Sequence, residues 1–183
     1  MRRLLVAAIL AVTVIGVAWA AEKFEDADLK ISIEAPADYV KSDDPLEEDD
    51  FIGTPKVLFA SPDIMNNGGL LLIHHMDIPD GDYEAWKSSL SDQLAMIFGD
   101  AYEVVEQKDV KLGDRDGMVL EFKCTGDGVK PDPDGNIEHR VRWRFIRDGD
   151  SKLVGLIYGA QEASWETLKP KITASEKSLK AID

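Results

Sequence analysis

Apolar and polar residues alternate along Leu29-Lys30-Ile31-Ser32-Ile33 with the period of two of a half-buried strand, and Pro36 ends the run. Val57 to Ser61 reads as a second short strand. After the turn-forming cluster Asn66-Asn67-Gly68-Gly69 comes Leu70-Leu71-Leu72-Ile73-His74-His75-Met76, apolar on both faces and so predicted to lie inside a sheet. The period then changes. Tyr83, Trp86, Leu90, Leu94 and Ile97 recur at three or four, predicting one amphipathic helix over 82–98, with Asp80 or Asp82 as its cap and Gly99 as its stop.

Four strands are predicted next, over 102–110, 117–125, 140–147 and 153–158. Turn signals at Gly113-Asp114-Arg115-Asp116-Gly117 and Asp148-Gly149 connect them as an antiparallel meander. Trp165, Leu168, Ile172, Leu179 and Ile182 mark a C-terminal helical stripe beginning near Glu162. Pro170 falls inside that stripe and predicts a kink or two short helices, since an interior proline removes a backbone hydrogen bond at a cost of about 3 kcal/mol. The pattern predicts an α+β fold: a mainly antiparallel sheet of about seven strands, with a mid-chain helix and a C-terminal helix packed on it.

The ends of the chain change this picture. Residues 1–20, MRRLLVAAILAVTVIGVAWA, place Arg2 and Arg3 before an apolar run that closes on Ala18-Trp19-Ala20, the form of a secretory signal peptide. Cleavage near Ala20 would leave 21–183 as a single α+β domain, exported to the periplasm or outside the cell, with 21–28 polar and frayed. The alternative is an uncleaved anchor, the only route by which the chain would contact a membrane, because a span needs about 20 residues. Without the leader, 19 Lys and Arg face 35 Asp and Glu, a formal charge of −16. Such a field excludes nucleic acid as a partner and suits cationic partners or divalent ions. Cys124 is the only cysteine, so the fold carries no internal disulfide.

The leader, the opening strand running into Ile33-Glu34-Ala35-Pro36-Ala37-Asp38-Tyr39, the single mid-chain helix, the meander and the terminal Ser178-Leu179-Lys180-Ala181-Ile182 together resemble the PsbP-like superfamily. That superfamily includes the extrinsic PsbP proteins of photosystem II, the Ran-binding Mog proteins and exported bacterial proteins of the DcrB type. The resemblance implies a β-sheet between helices and a role in binding or assembly. It assigns no site residue.

Candidate chemistry is sparse. In Lys130-Pro131-Asp132-Pro133-Asp134-Gly135-Asn136-Ile137-Glu138-His139, neither register of a helix-loop-helix calcium loop works: setting Gly135 sixth puts Lys130 first and Val141 twelfth, and setting Asp132 first puts Trp143 twelfth. Asp132-Pro133-Asp134-Gly135 instead has the residue preferences of a type I turn. Asp132, Asp134 and Glu138, with Asp127, remain the candidate ligands for a weakly held calcium ion. His74 and His75 point to opposite faces of a strand and cannot share one ion without a bulge. Cys124, set among alternating apolar residues, reads as a buried hydrophobe, and as a nucleophile only with a histidine beside it.

Arg140, Arg142 and Arg144 alternate with Val141, Trp143 and Phe145, making a basic stripe on an acidic chain. Two readings follow: cross-strand pairing with Glu121 and other acids, or an exposed patch that recognises a carboxylate, a phosphate or an acidic partner. Three functional readings are carried forward. The first is an exported, non-enzymatic binding or assembly module for a protein or small-molecule partner in the envelope, with no cofactor. The second is a calcium-dependent binding protein using the 126–138 loop. The third is an enzyme whose site gathers His74 or His75, His139 and remote acids.

Overall fold

The computed structural model describes residues 21–43, 53–78, 81–125 and 137–182. The leader, most of the acidic 41–50 segment and the loop carrying Asp132 and Asp134 lie outside them.

The order of elements is β1 (Lys23–Asp26), β2 (Ile31–Glu34), β3 (Val40–Lys41), β4 (Thr54–Ala60), α1 (Ile64–Asn67), β5 (Leu70–Asp77), α2 (Tyr83–Ser88), α3 (Leu90–Phe98), β6 (Tyr102–Leu112), β7 (Arg115–Cys124), β8 (His139–Asp148), β9 (Lys152–Gln161), α4 (Glu162–Ser178) and β10 (Lys180–Ala181). Seven strands form one sheet in the order β3-β4-β5-β9-β8-β7-β6, every neighbouring pair antiparallel. Strands β1, β2 and β10 form a small second sheet.

Both faces of the large sheet are covered, which is why β7 and β9 are buried almost continuously. On one face α4 and the small sheet close a core of Ile31, Ile33, Phe59, Leu71, Ile73, Leu156, Tyr158, Trp165, Leu168 and Ile172. On the other, α2 and α3 cover Met118, Leu120, Phe122, Val141, Trp143 and Phe145 with Tyr83, Trp86, Leu90 and Leu94. There Trp86 meets Phe145, and Trp143 meets Phe122 and Phe145, each edge to face with ring centroids 4.9–5.6 Å apart.

The structure departs from the sequence pattern in four places. Residues 23–26 are not frayed: they form β1, paired with β2 from Lys23↔Glu34 to Asp26↔Ile31. Lys41, the first residue of the acid-rich run 41–50 whose lack of apolar periodicity predicts a solvated loop, instead closes β3. The helix predicted over 82–98 is two helices, because Ser88 Oγ donates to the Glu84 and Ala85 carbonyls and Ser89 Oγ donates to that of Trp86, competing with the backbone ladder. Pro170, conversely, lies inside one continuous α4. Glu166, whose carbonyl loses its donor there, is exposed along with Pro170, so water can replace the missing bond.

One glycine sets a packing limit. Gly155 on β9 stands opposite His74 of β5 and Phe145 of β8. The buried His74 imidazole lies over it, edge-on to Phe145, and a Cβ at Gly155 would sit 2.0 Å from His74 Nε2. Gly155→Ala is therefore expected to lower stability by about 1–3 kcal/mol, read as a fall in the urea midpoint at unchanged m-value. Gly159→Ala, with Leu70 Cγ its nearest neighbour at 3.2 Å, should cost less.

Candidate functional site

The basic stripe carries the largest ion-pair network among the described residues. Alternation on β8 turns Arg140, Arg142 and Arg144 toward α4, while Val141, Trp143 and Phe145 enter the opposite core. Glu121 of β7 lies directly across from Arg142 and takes both neighbours: Arg140 Nη1 donates to Oε1 at 2.8 Å and Arg142 Nη1 to Oε2 at 2.6 Å. Arg140 also holds Glu162, the first residue of α4, through two 2.8 Å bonds, and its guanidinium lies 5.7 Å from the Trp165 ring centroid. Arg142 donates to Glu176 at 2.9 Å and to Glu106 of β6 at 3.0 Å. Lys108 and Lys123 extend the network to Glu106, Glu162 and Glu138.

The electrostatics follow from this geometry. The Arg140 fork, and then Lys123, outweigh burial and hold the Glu162 carboxyl at about 2. Burial disfavours the Arg142 charge, but Glu176, Glu121 and Glu106 more than restore it, raising the guanidinium above its ordinary range. Glu106 and Glu121 face each other across β6 and β7, a like-charge pair that would repel if Arg142 did not bridge them. Cross-strand pairing with Glu121 therefore occupies Arg140 and Arg142. Arg144 differs: it stands opposite Val119 and Leu156, makes no ion pair among the described residues, and buries an Nε without a hydrogen-bond acceptor.

The remaining candidates are scattered. His74 and His75 do face opposite sides of β5, and their partners on β9, Gly155 and Val154, lie six and seven residues from Gln161, the partner of His139. That spacing places His139 about 20 Å or more along the sheet from either of them, so the three histidines do not meet. His139 is instead the direct cross-strand neighbour of Cys124. The histidine a cysteine nucleophile requires is thus present, but burial, and then Glu138, push the Cys124 thiol up to about 12 and keep it protonated. Asp132 and Asp134 fall outside the described residues. Glu138 lies 3.7 Å from Lys123, and its carbonyl accepts the Glu162 amide.

Unspent polar and apolar groups lie at the surface. Met96 of α3 and Val104 and Val105 of β6 are among the exposed large hydrophobics, at 79, 41 and 45%. Tyr102 joins these elements by donating to the Ser91 carbonyl. Strand β6 is an edge of the large sheet, and the register shift between Val104 and Glu106 leaves Val105 as a bulge. Two open clefts lie at the other end of the sheet. One, about 500 Å³, is lined by Tyr83, Lys87, Asp109, Lys111, Asp116 and Arg147, with Lys87 paired to Asp109, Lys111 to Asp116 and Arg147 to Asp150. The second, about 410 Å³, lies between the β1–β2 turn and the ends of β4, β5 and β9.

Comparison with solved structures settles the architecture. The cyanobacterial PsbP (CyanoP) of Synechocystis sp. PCC 6803 superposes with a TM-score of 0.59 at 14% identity, over 96% of this chain and 99% of that one. The fold is PsbP-like. LpqN of Mycobacterium tuberculosis, described as involved in cell envelope biogenesis, gives 0.58 at 12% identity over 84 and 83% of the two chains. The Saccharomyces cerevisiae Ran-binding protein Mog1p gives 0.55 at 14% identity over 90 and 96%. At these identities the likeness shows the PsbP-like fold and no activity. No protein-family model matches the chain, and no curated protein matches it. Among the described residues, no helix is long and apolar enough to cross a membrane.

Two outcomes test the network. Arg142→Met removes the cation that Glu106, Glu121 and Glu176 share, leaving the partly buried Glu176 with no ion-pair partner among the described residues, and is expected to cost about 3–5 kcal/mol in chemical unfolding at pH 7. Glu162 supplies the pH dependence. Its folded pKa lies below the unfolded one, so its contribution is complete above the ordinary carboxylate value and is lost as pH falls from about 4.5 toward 2. Urea midpoints of the parent chain should fall through that window, and Glu162→Gln should flatten the fall.

Proposed function

We propose that this protein is an exported, non-enzymatic binding or assembly module, and that it meets a cationic protein partner at the α3–β6 corner. The observation that carries the reading is the placement of Met96 of α3 and Val104 and Val105 of edge strand β6 in solvent, while Glu121, Arg140 and Arg142 of β7 and β8 are spent inside the fold. Apolar side chains held at an exposed sheet edge supply contact area to a partner. Asp92, Asp100 and Glu103 belong to the same elements and the turn between them, and the whole chain carries −14. Apolar anchors with an acidic surround suit a partner whose own anchors are ringed by Lys or Arg.

The PsbP-like fold supports this reading, since one structural neighbour is described as Ran-binding. The leader sequence supports export. The bulge at Val105 fits as well, because it interrupts uniform edge pairing and limits indiscriminate strand addition.

Photo-crosslinking checks the proposal. A benzoylphenylalanine at Val105 should capture one discrete protein in the native host, and the same probe at Lys177 should not. Val104→Glu, which adds charge at an exposed site, should abolish capture while leaving the thermal midpoint within about 2 °C of the parent. Equal capture at both positions would overturn the surface assignment. Turnover of any substrate in a broad hydrolase screen would overturn the non-enzymatic reading.

A further inference from the structure

The exposed large hydrophobics among the described residues are Met65, Met96, Val104 and Val105, and all four lie at one end of the large sheet. The register defines that end. Gln161 of β9, His139 of β8, Cys124 of β7 and Tyr102 of β6 form its last row, three strand spacings or about 14 Å across. Helix α1 closes one flank of the row: at Gly68, its C-cap, an added Cβ would lie 2.9 Å from the Gln161 amide nitrogen. The α3–β6 corner forms the other flank, where Phe98 packs on Phe122 and Val104 stands opposite it.

Met65 is presented by a fastened turn. Asn66 Nδ2 donates to Asp63 Oδ1, Asn67 Nδ2 donates to Ser61 Oγ at 2.9 Å, and the Gly69 amide donates to Asn67 Oδ1 at 2.8 Å. Met65 itself is 57% exposed. An apolar group held out by an ordered backbone costs a partner little ordering entropy on contact. The charge pattern is the same on both flanks. No Lys or Arg occurs from 57 to 86 or from 88 to 107, while Asp63, Asp92, Asp100 and Glu103 each lie within four residues of one of the exposed hydrophobics. Lys123 and Arg140, next to Cys124 and His139 in the chain, are committed to Glu121, Glu138 and Glu162.

We infer that Met65 is a second anchor for the partner proposed at the α3–β6 corner, so that one basic protein bridges this end of the sheet from α1 to β6. The inference rests on that reading for its partner and adds α1 to the contact. A standard interface covers about 800 Å² on each side, a patch about 30 Å across, wide enough for both anchors. Once one anchor is engaged, the other binds at the high effective concentration that the first sets. A second copy of this chain does not fit the place, since it brings the same acids and the same charge of −14.

The experiment places benzoylphenylalanine singly at Met65, at Val105 and, at the far end of the sheet, at Lys152, irradiates the native host and identifies the captured protein by peptide mass. Capture of the same basic protein at Met65 and Val105 but not at Lys152 is expected. Met65→Glu should lower the Val105 capture at least about fivefold, with the thermal midpoint within about 2 °C of the parent. The identified protein is then titrated into this one by calorimetry. Met65→Glu and Val104→Glu should each weaken binding about tenfold or more, whereas Met65→Leu, which keeps the apolar area, should change it less than about twofold. Capture at Val105 that is absent at Met65, or undiminished by Met65→Glu, would overturn the bridge and leave the corner assignment standing. Capture at Met65 alone, or at neither position, would overturn both. A crosslinked pair of this chain, or an acidic protein at both positions, would overturn the choice of a basic partner.

Discussion

The architecture depends on how the charges between β8 and α4 are neutralised. Glu121 is 7% exposed at its side chain and sits inside a sheet, where a lone carboxylate would be costly to bury. Arg140 and Arg142 make its burial tolerable, and each then needs a second acid, which α4 supplies from its two ends as Glu162 and Glu176. Fourteen residues separate those glutamates, about 21 Å along the axis, so the helix is fixed in position at both ends. Its buried side chains include Trp165, Leu168 and Ile172, but a greasy stripe alone allows a helix to slide or rotate. Ion pairs with defined partners do not. The network contributes position more than net stability, since burial of these ions offsets most of their attraction.

That constraint reaches the small sheet. Helix α4 leads directly into β10, which pairs with β2 at Lys180↔Ser32 and Ala181↔Ile31. Ser175 and Ser178 fasten the same region, with Ser175 Oγ donating to the Glu34 carbonyl at 2.6 Å and the Glu34 amide donating to Ser178 Oγ at 2.8 Å. β1 joins β2 in turn, so the start of the described chain is held by a helix more than 130 residues later. Arg115 secures the other side of the turn, bonding Leu29 and Lys30, the latter with a positive φ of 53°.

Much of this was legible in the sequence because β5, β7, β8 and β9 are long enough for their alternation or continuous apolarity to show. What escaped the pattern has particular causes. β1 and β10 are four and two residues long, and only a distant partner makes them strands. The break at Ser88 and Ser89 lay within an unbroken apolar period; the paired serines were its signal, since their hydroxyls bond back to the preceding turn. Glu121 could be paired with the arginine stripe because both belong to a predicted meander. Glu162 and Glu176 could not, because no local rule gives the crossing of a helix over a sheet. The adjacency of Cys124 and His139 was hidden for a related reason: a long connection between two strands conceals their register.

Two register shifts interrupt the large sheet. Val105 and Lys56 are each the extra residue of a β-bulge, one on an edge strand and one where β4 has outrun its pairing with β3. A regular strand alternates its side chains between two covered cores, so every position on this sheet is committed to one face or the other. A bulge is the local means of releasing a residue from that alternation. Edge strand β6 adds a second source of exposure, since Val104 keeps its regular register opposite Phe122 and is still exposed. The apolar bulge lies on elements that carry Asp92 and Glu103, with Asp100 in the turn between them, so the exposed valines have an acidic surround. Within a Debye length of about 10 Å at 0.1 M salt, those local charges outweigh the screened field of the whole chain. The surround of Val104 and Val105 can therefore set that corner's preference for a cationic partner, whatever the screened charge of the remainder.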